Sequence, residues 1–110
     1  MKRGEIWWVD FEPAVGSEIR KQRPAVIVSN DSANKHLDRV QVVPLTTSIG
    51  KVYSSEAVVI CRGKEHKALA DQIMTADKSR FINRIGRLSA DDLEAVERAV
   101  LVQLGLITWK

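Results

Sequence analysis

The sequence predicts a small, mainly β protein with a C-terminal α-helix, its antiparallel strands forming a strongly bent sheet or partial barrel. Three observations carry this. Short apolar, β-branched runs recur between Gly, Pro, Asn and Asp punctuation from residue 5 to residue 86. One amphipathic helical stretch follows, over 89–104. The length, 110 residues, points to one domain over 1–110 with a single modest core.

Residues 5–11 (EIWWVDF) read as the first strand, and the Pro13 and Gly16 of the next segment make 12–18 a loop. The run 24–29 is continuously apolar, hence a buried strand, with Arg23 at its mouth. Asn30 to Asn34 read as a turn entering a helical turn through His36. A third strand covers 39–45, with Pro44 marking a bulge or an edge. After a polar loop over 48–55, strand 56–61, a charged turn 62–67 and strand 68–75 are expected, the last with Asp71-Gln72 near its middle. A helical turn over 76–81 and a short strand 82–86 complete the β part. Ser89 three residues before Asp92 forms a capping box, and Asp91, Asp92 and Glu94 suit the positive end of the helix dipole. Leu93, Val96, Val100 and Leu104 make one apolar stripe, and Gly105 ends it.

Hydrophobic residues at 45% against 28% charged are ordinary for a globular chain. No apolar run nears the roughly 20 residues of a membrane span, and Met1-Lys2-Arg3 leads into no signal-peptide core. A lone cysteine, Cys61, forms no internal disulfide, so a reducing, cytoplasmic setting is expected. Charge is uneven: residues 1–87 hold 15 basic against 10 acidic side chains, and residues 88–110 hold 2 against 4. The basic body favours a polyanionic partner, although a plain solubility charge accounts for the number equally well.

Several chemistries fail on residue supply. His36 and His66 lie in charged turns and are not spaced as a ligand pair, and one cysteine supports neither zinc nor iron–sulfur ligation. No Walker loop, GxGxxG or GxSxG is present, and the carboxylates are scattered. An enzyme built from this sequence is therefore expected to work without metal or organic cofactor.

What remains is a phosphate grip. Pro24 restricts Arg23 to extended geometry, and Thr46-Thr47-Ser48 follow the next apolar run. Arg offers a rigid fork of donors and Thr a short hydroxyl arm, both suited to phosphate oxygens. The competing reading pairs Arg23 with Glu12 or Glu18, and Glu18 with Arg20 or Lys21, as surface ion pairs. Lys51 and Tyr53 suit a phosphate and a stacked base, or simply a solvated loop. Asp71-Gln72 is either a buried network or a base reader. Of Trp7 and Trp8, facing opposite ways, one packs in the core and the other is left for an interface.

In order along the chain, Arg3-Gly4-Glu5-Ile6-Trp7, Val9-Asp10-Phe11, Pro13 to Glu18, Gln22 to Asn30, Val43 to Ser48, Leu69 to Ile73 and Ile85 to Ser89 resemble the MazF/PemK (Kid) family of toxin–antitoxin endoribonucleases. The resemblance spans nearly the whole chain; RP or TT alone would be uninformative, whereas the ordered set is specific. It implies an SH3-like (PemK/CcdB-like) barrel, a homodimer that cuts single-stranded RNA (mRNA, rRNA or tRNA), and inhibition by a cognate antitoxin through its acidic C-terminal tail. It places the catalytic arginine on Arg23, the threonine on Thr46 and a contributing loop glutamate on Glu18. The RNA-contacting set is then Ser17, Gln22, Thr47, Ser48, Lys51, Tyr53 and Gln72. With no metal to activate water, the nucleophile at hand is the RNA 2′-OH, giving 2′,3′-cyclic phosphate and 5′-OH ends. Arginine is a poor general base, which leaves Glu18 or no side chain for that role. Two readings of other classes stand beside this one: a CcdB-like gyrase-inhibiting toxin, which shares the barrel, and a non-catalytic RNA-binding barrel.

Overall fold

The runs that read as continuously apolar become the centre of one curled antiparallel sheet. The computed structural model describes residues 1–108. Strands β1 (Glu5–Asp10), β2 (Gln22–Ile27), β3 (Arg39–Thr46), β4 (Glu56–Cys61), β5 (Lys64–Leu69), β6 (Met74–Asp77) and β7 (Phe81–Arg87) are joined by helix α1 (Asp31–His36) and followed by α2 (Ala90–Gln103). The order across the sheet is β4-β5-β3-β2-β1-β7, with β6 also paired to β3.

Both faces of the central strands are covered. Ile6, Val26, Val43 and Leu45 pack with Val59, Ala68, Val96 and Ala99 in a cluster under α2. The alternate residues Val9, Ala25, Ile27, Val40 and Val42 form a second cluster, against which Trp7, Ile19, Met74 and Phe81 pack. Strict alternation along β2 and β3 assigns each side chain to one cluster or the other, which explains why these strands read as unbroken apolar runs.

The structure moves several boundaries. β2 begins at Gln22, so Arg23 lies inside the strand, because β1 pairs Val9 with Arg23 and Asp10 with Gln22. Pro44 marks neither an edge nor a bulge. It is buried opposite Ala25, between the β6-paired and β5-paired portions of β3, where its missing N–H interrupts no strand pairing on that side. The expected charged turn 62–67 is instead a two-residue turn, Arg62-Gly63, followed by β5. Both turn residues take positive φ, 53° and 77°, as this tight hairpin requires. His66 is consequently a buried strand residue with its Nδ1 3.0 Å from the Lys64 carbonyl. The strand expected over 68–75 breaks into the end of β5, a 3-10 turn at Ala70–Gln72, and β6.

Helix α2 is capped as expected by Ser89, whose side chain accepts the Asp92 amide at 3.1 Å. The Asp92 carboxylate turns away and accepts the amide of Ile60 at 2.9 Å, satisfying a donor on the edge strand β4. Leu104 is the C-cap and 55% exposed, so it falls off the expected stripe, while Leu93, Val96 and Val100 pack into the core together with Ala99. Gly105 (φ 72°) donates to the Val102 carbonyl and Leu106 to that of Leu101, closing the helix with a left-handed cap.

Candidate active site

The β2–β3 register pairs Ala25 with Pro44 and Val26 with Val43. The pairing ends at Ala25–Pro44, and Arg23 and Thr46 each lie two residues beyond it along their strands. Arg23 has the parity of Ala25 and Ile27, and Thr46 that of Val40 and Val42, so both belong to the face of the second cluster. Two residues 23 positions apart in sequence thus share one face at one end of the sheet.

Arg23 is half-buried, and its Nε donates to the Arg20 carbonyl at 3.2 Å. Among the described residues it pairs with neither Glu12 nor Glu18; Arg20 takes the ion pair with Glu12, at 3.9 Å. The Thr46 Oγ1 accepts the Ser48 amide at 3.2 Å, which occupies a lone pair and leaves the hydroxyl hydrogen for an incoming oxygen.

The loop over 12–21 is fastened at its base, beginning with a cis Glu12–Pro13 peptide. The Phe11 amide donates to the Lys21 carbonyl at 2.9 Å, and the Lys21 amide, at a residue of φ 65°, donates to Glu12 at 2.7 Å. Hydrogen bonds from the Lys21 and Ala14 amides hold the Glu12 carboxyl below its ordinary pKa. Arg80 reaches across to the carbonyls of Glu12 at 2.6 Å and Asp10 at 3.1 Å. Glu18 forms no ion pair with Arg20 or Lys21 among the described residues; it accepts the Val15 amide at 2.8 Å. Gln72 holds the tip of the loop, accepting from the Ile19 amide at 2.9 Å and donating to the Ser17 carbonyl at 3.4 Å. Glu18, Ile19, Gln72, Phe11 and Arg80 line a cleft of about 230 Å³. A larger groove of about 460 Å³ beside α2 is lined by Val28, Ile73, Val100 and Leu101; the charges on its rim, Arg3 and Glu97, pair with each other.

The residues singled out from sequence fall into separate local groups. Ser17, Glu18 and Gln72 meet through the loop tip, while Thr47 and Ser48 lie exposed directly after Thr46. The Lys51 ammonium stands 5.2 Å from the Tyr53 ring centroid in the exposed β3–β4 loop. Gln22 is exposed at the start of β2 opposite Asp10. Asp71 and Gln72 form no buried strand pair: Asp71 is exposed and Gln72 half-buried in the 3-10 turn. Both Trp7 and Trp8 are half-buried, Trp7 in edge-to-face contact with Phe81 at 5.9 Å. Sequence reasoning missed Arg80 as a loop anchor, since no local pattern signals a contact spanning 68 residues. Among the described residues, no three His, Cys, Asp or Glu side chains converge as a metal site.

Residues 2–104 match the family described as PemK-like, MazF-like toxin of type II toxin-antitoxin system. The chain is 42% identical to Endoribonuclease MazF9 of Mycobacterium tuberculosis, over 96% of this chain and 98% of that one. It is 34% identical to Endoribonuclease MazF of Staphylococcus saprophyticus, covering 98% and 94%. The fold superposes on the crystal structure of MazF (Form-I) from Deinococcus radiodurans with a TM-score of 0.85, 28% identity and 96% coverage of both chains.

Proposed function

This chain belongs to the PemK-like, MazF-like toxin family of type II toxin–antitoxin systems, and on that premise we propose that it is an endoribonuclease cutting single-stranded RNA without a metal ion. The mechanism is supported by the placement of Arg23 and Thr46 two residues beyond the last β2–β3 pair, on the face of the second cluster. The endoribonuclease relatives and the family match favour this reading over a gyrase inhibitor or a non-catalytic barrel.

The reacting groups come mostly from the substrate. The ribose 2′-oxygen attacks the adjacent phosphorus, the bond from phosphorus to the 5′-oxygen breaks, and the products are a 2′,3′-cyclic phosphate and a 5′-OH. The 2′-OH gives up one proton and the departing 5′-oxygen takes one. Arg23 neutralises the charge that builds on the pentacoordinate phosphorus, and the free hydroxyl hydrogen of Thr46 holds a non-bridging oxygen. Glu18 serves as the base; its carboxylate leaves Val15 when RNA enters, since one oxygen now accepts that loop amide. DNA lacks the 2′-OH and is spared. Ser17, Gln22, Thr47, Ser48, Lys51 and Tyr53 contact the RNA strand, with Lys51 and Tyr53 on the bases. Gln72 acts from beneath the loop.

A homodimer, a cognate antitoxin with an acidic C-terminal tail and a cytoplasmic location complete the proposal. An acidic tail fits the basic excess of residues 1–87. Among the described residues no helix is long and apolar enough to cross a membrane.

The test is to incubate the protein with a defined single-stranded RNA in EDTA and map the product ends. Cyclic phosphate and 5′-OH ends are expected, with Arg23→Ala inactive yet folded. Cleavage abolished by EDTA would overturn the metal-free mechanism, and no cleavage under any condition the nuclease itself. A Glu18→Gln variant cutting at the wild-type rate removes Glu18 as the base.

A further inference from the structure

The β3–β5 register pairs Thr46 directly with Lys67. Neither the charge nor the reach of Lys67 is used by the proposed chemistry, and its side chain is only 11% exposed. Its ammonium lies 3.3 Å from the carboxylate of Glu56, itself 12% exposed, and donates to the Lys51 carbonyl at 3.3 Å. The same Glu56 oxygen accepts the Tyr53 amide at 3.0 Å, and the Glu56 amide returns a bond of 3.0 Å to the Tyr53 carbonyl. The two residues of the β3–β4 loop suited to grip a nucleotide, Lys51 and Tyr53, are thus each tied through their backbone to one nearly buried ion pair. That pair grows from the strand position opposite Thr46.

We propose that Lys67, through its ion pair with Glu56, is a positioning residue that fixes the Lys51–Tyr53 loop relative to Thr46 and thereby sets which RNA bases are accepted. This rests on the ribonuclease reading above. An exposed loop carrying a cation and an aromatic ring has no intrinsic reason to hold one geometry, and base selection requires that it does. A charge pair largely removed from water is suited to the task, since its geometry is specific and costly to leave half-made. Lys67 lies behind the loop backbone and acts on RNA through Lys51 and Tyr53.

The experiment compares the wild type with Lys67→Met, Lys67→Arg and the double variant Lys67→Met/Glu56→Gln, which leaves no orphan charge. Cleavage sites are mapped on a long RNA, kcat and KM are measured on the preferred site and on single-base variants of it, and amide exchange is followed at Tyr53. Lys67→Met and the double variant are expected to lose about tenfold in discrimination, the factor set by one hydrogen bond to a charged group. KM on the preferred site should rise more than kcat falls, and Tyr53 exchange should quicken. Lys67→Arg should restore part of both.

Unchanged discrimination in a folded double variant overturns the proposal while leaving the nuclease reading intact. So does a fall in kcat alone, which would put the Lys67 charge on the phosphate. So does unchanged exchange at Tyr53. A wild-type protein that cuts no RNA overturns the nuclease reading and this inference together.

Discussion

Gln72 and Ile19 are joined side chain to backbone at 2.9 Å across 53 positions of sequence, and this bond locates the Glu18 loop over the sheet. The same amide group donates to the Ser17 carbonyl at 3.4 Å, so one side chain meets the loop on both sides of Glu18. Gln72→Ala frees the loop tip. RNA cleavage under single-turnover conditions should fall about tenfold while stability to urea drops by about 1 kcal/mol, the net worth of a typical hydrogen bond. An unchanged rate would show that the loop orders itself without Gln72.

Arg23 and Thr46 should respond differently to conservative change. Arg23→Lys keeps the charge but loses the planar fork, and a fall in kcat of about 100-fold is expected, the scale of one lost oxyanion donor. Thr46→Ser keeps the hydroxyl and should retain most activity. Thr46→Val, of the same shape, removes the donor and strands the Ser48 amide, so it should resemble Arg23→Lys. Circular dichroism and urea midpoints near wild type would confirm that the losses are chemical.

Gly4 is a backbone position that a side chain cannot share. Its φ is +89°, and an added Cβ would stand 3.2 Å from Leu93 Cδ2. It also joins the sheet to the start of α2, donating to the Ile27 carbonyl at 2.8 Å and accepting the Leu88 amide at 2.9 Å. Gly4→Ala should lower stability by about 1–3 kcal/mol through backbone strain and displacement of Leu93. Urea unfolding reads this directly, and a midpoint equal to wild type would refute it.

Acid should destabilise the fold through identifiable carboxyls. Burial pushes the Glu5 pKa up, but the Trp7 indole, the Lys2 amide and the Arg84 guanidinium together carry it below its ordinary value. Asp31 is likewise lowered by the Arg3 amide and the Asn34 side chain, and Asp77 by the hydroxyl and amide of Ser79. The folded protein therefore binds fewer protons than the unfolded chain in this range. The stability these groups contribute is present above their unfolded pKa values, about 4, and is lost as pH falls through the lower folded values. Glu5→Gln should flatten the fall in melting temperature between pH 5 and about pH 3. A slope identical to wild type would remove Glu5 from the account.

Most of the elements were legible in sequence because their signals are local. Strand β4 follows directly from an apolar run, α1 from the polar turn leading into a helical turn through His36, and Ser89 caps α2 as its spacing implies. The β4–β5 hairpin was not legible, because Arg62 is not a residue that advertises positive φ, and β5 opens with the polar run Lys64-Glu65-His66-Lys67. The Ala70–Gln72 turn was read through, although Asp71-Gln72 interrupt the apolar residues there, for a related reason: periodicity does not reveal where a strand leaves one partner for another.

By itself the sequence determined the supply of chemistry: a proline-restrained arginine, a hydroxyl cluster, and an ordered set of motifs resembling one toxin family. Only the tertiary structure decided how those groups are held. Pairing of β2 with β3 places Arg23 and Thr46 just beyond its last pair on one face, Gln72 and Arg80 anchor the loop that carries Glu18, and Lys51 and Tyr53 are tied down through Lys67 and Glu56. Apart from the local Tyr53–Glu56 bonds, these arrangements join residues distant in sequence. Such contacts form only when burial of the two apolar clusters fixes the strand pairing, so no local pattern can encode them.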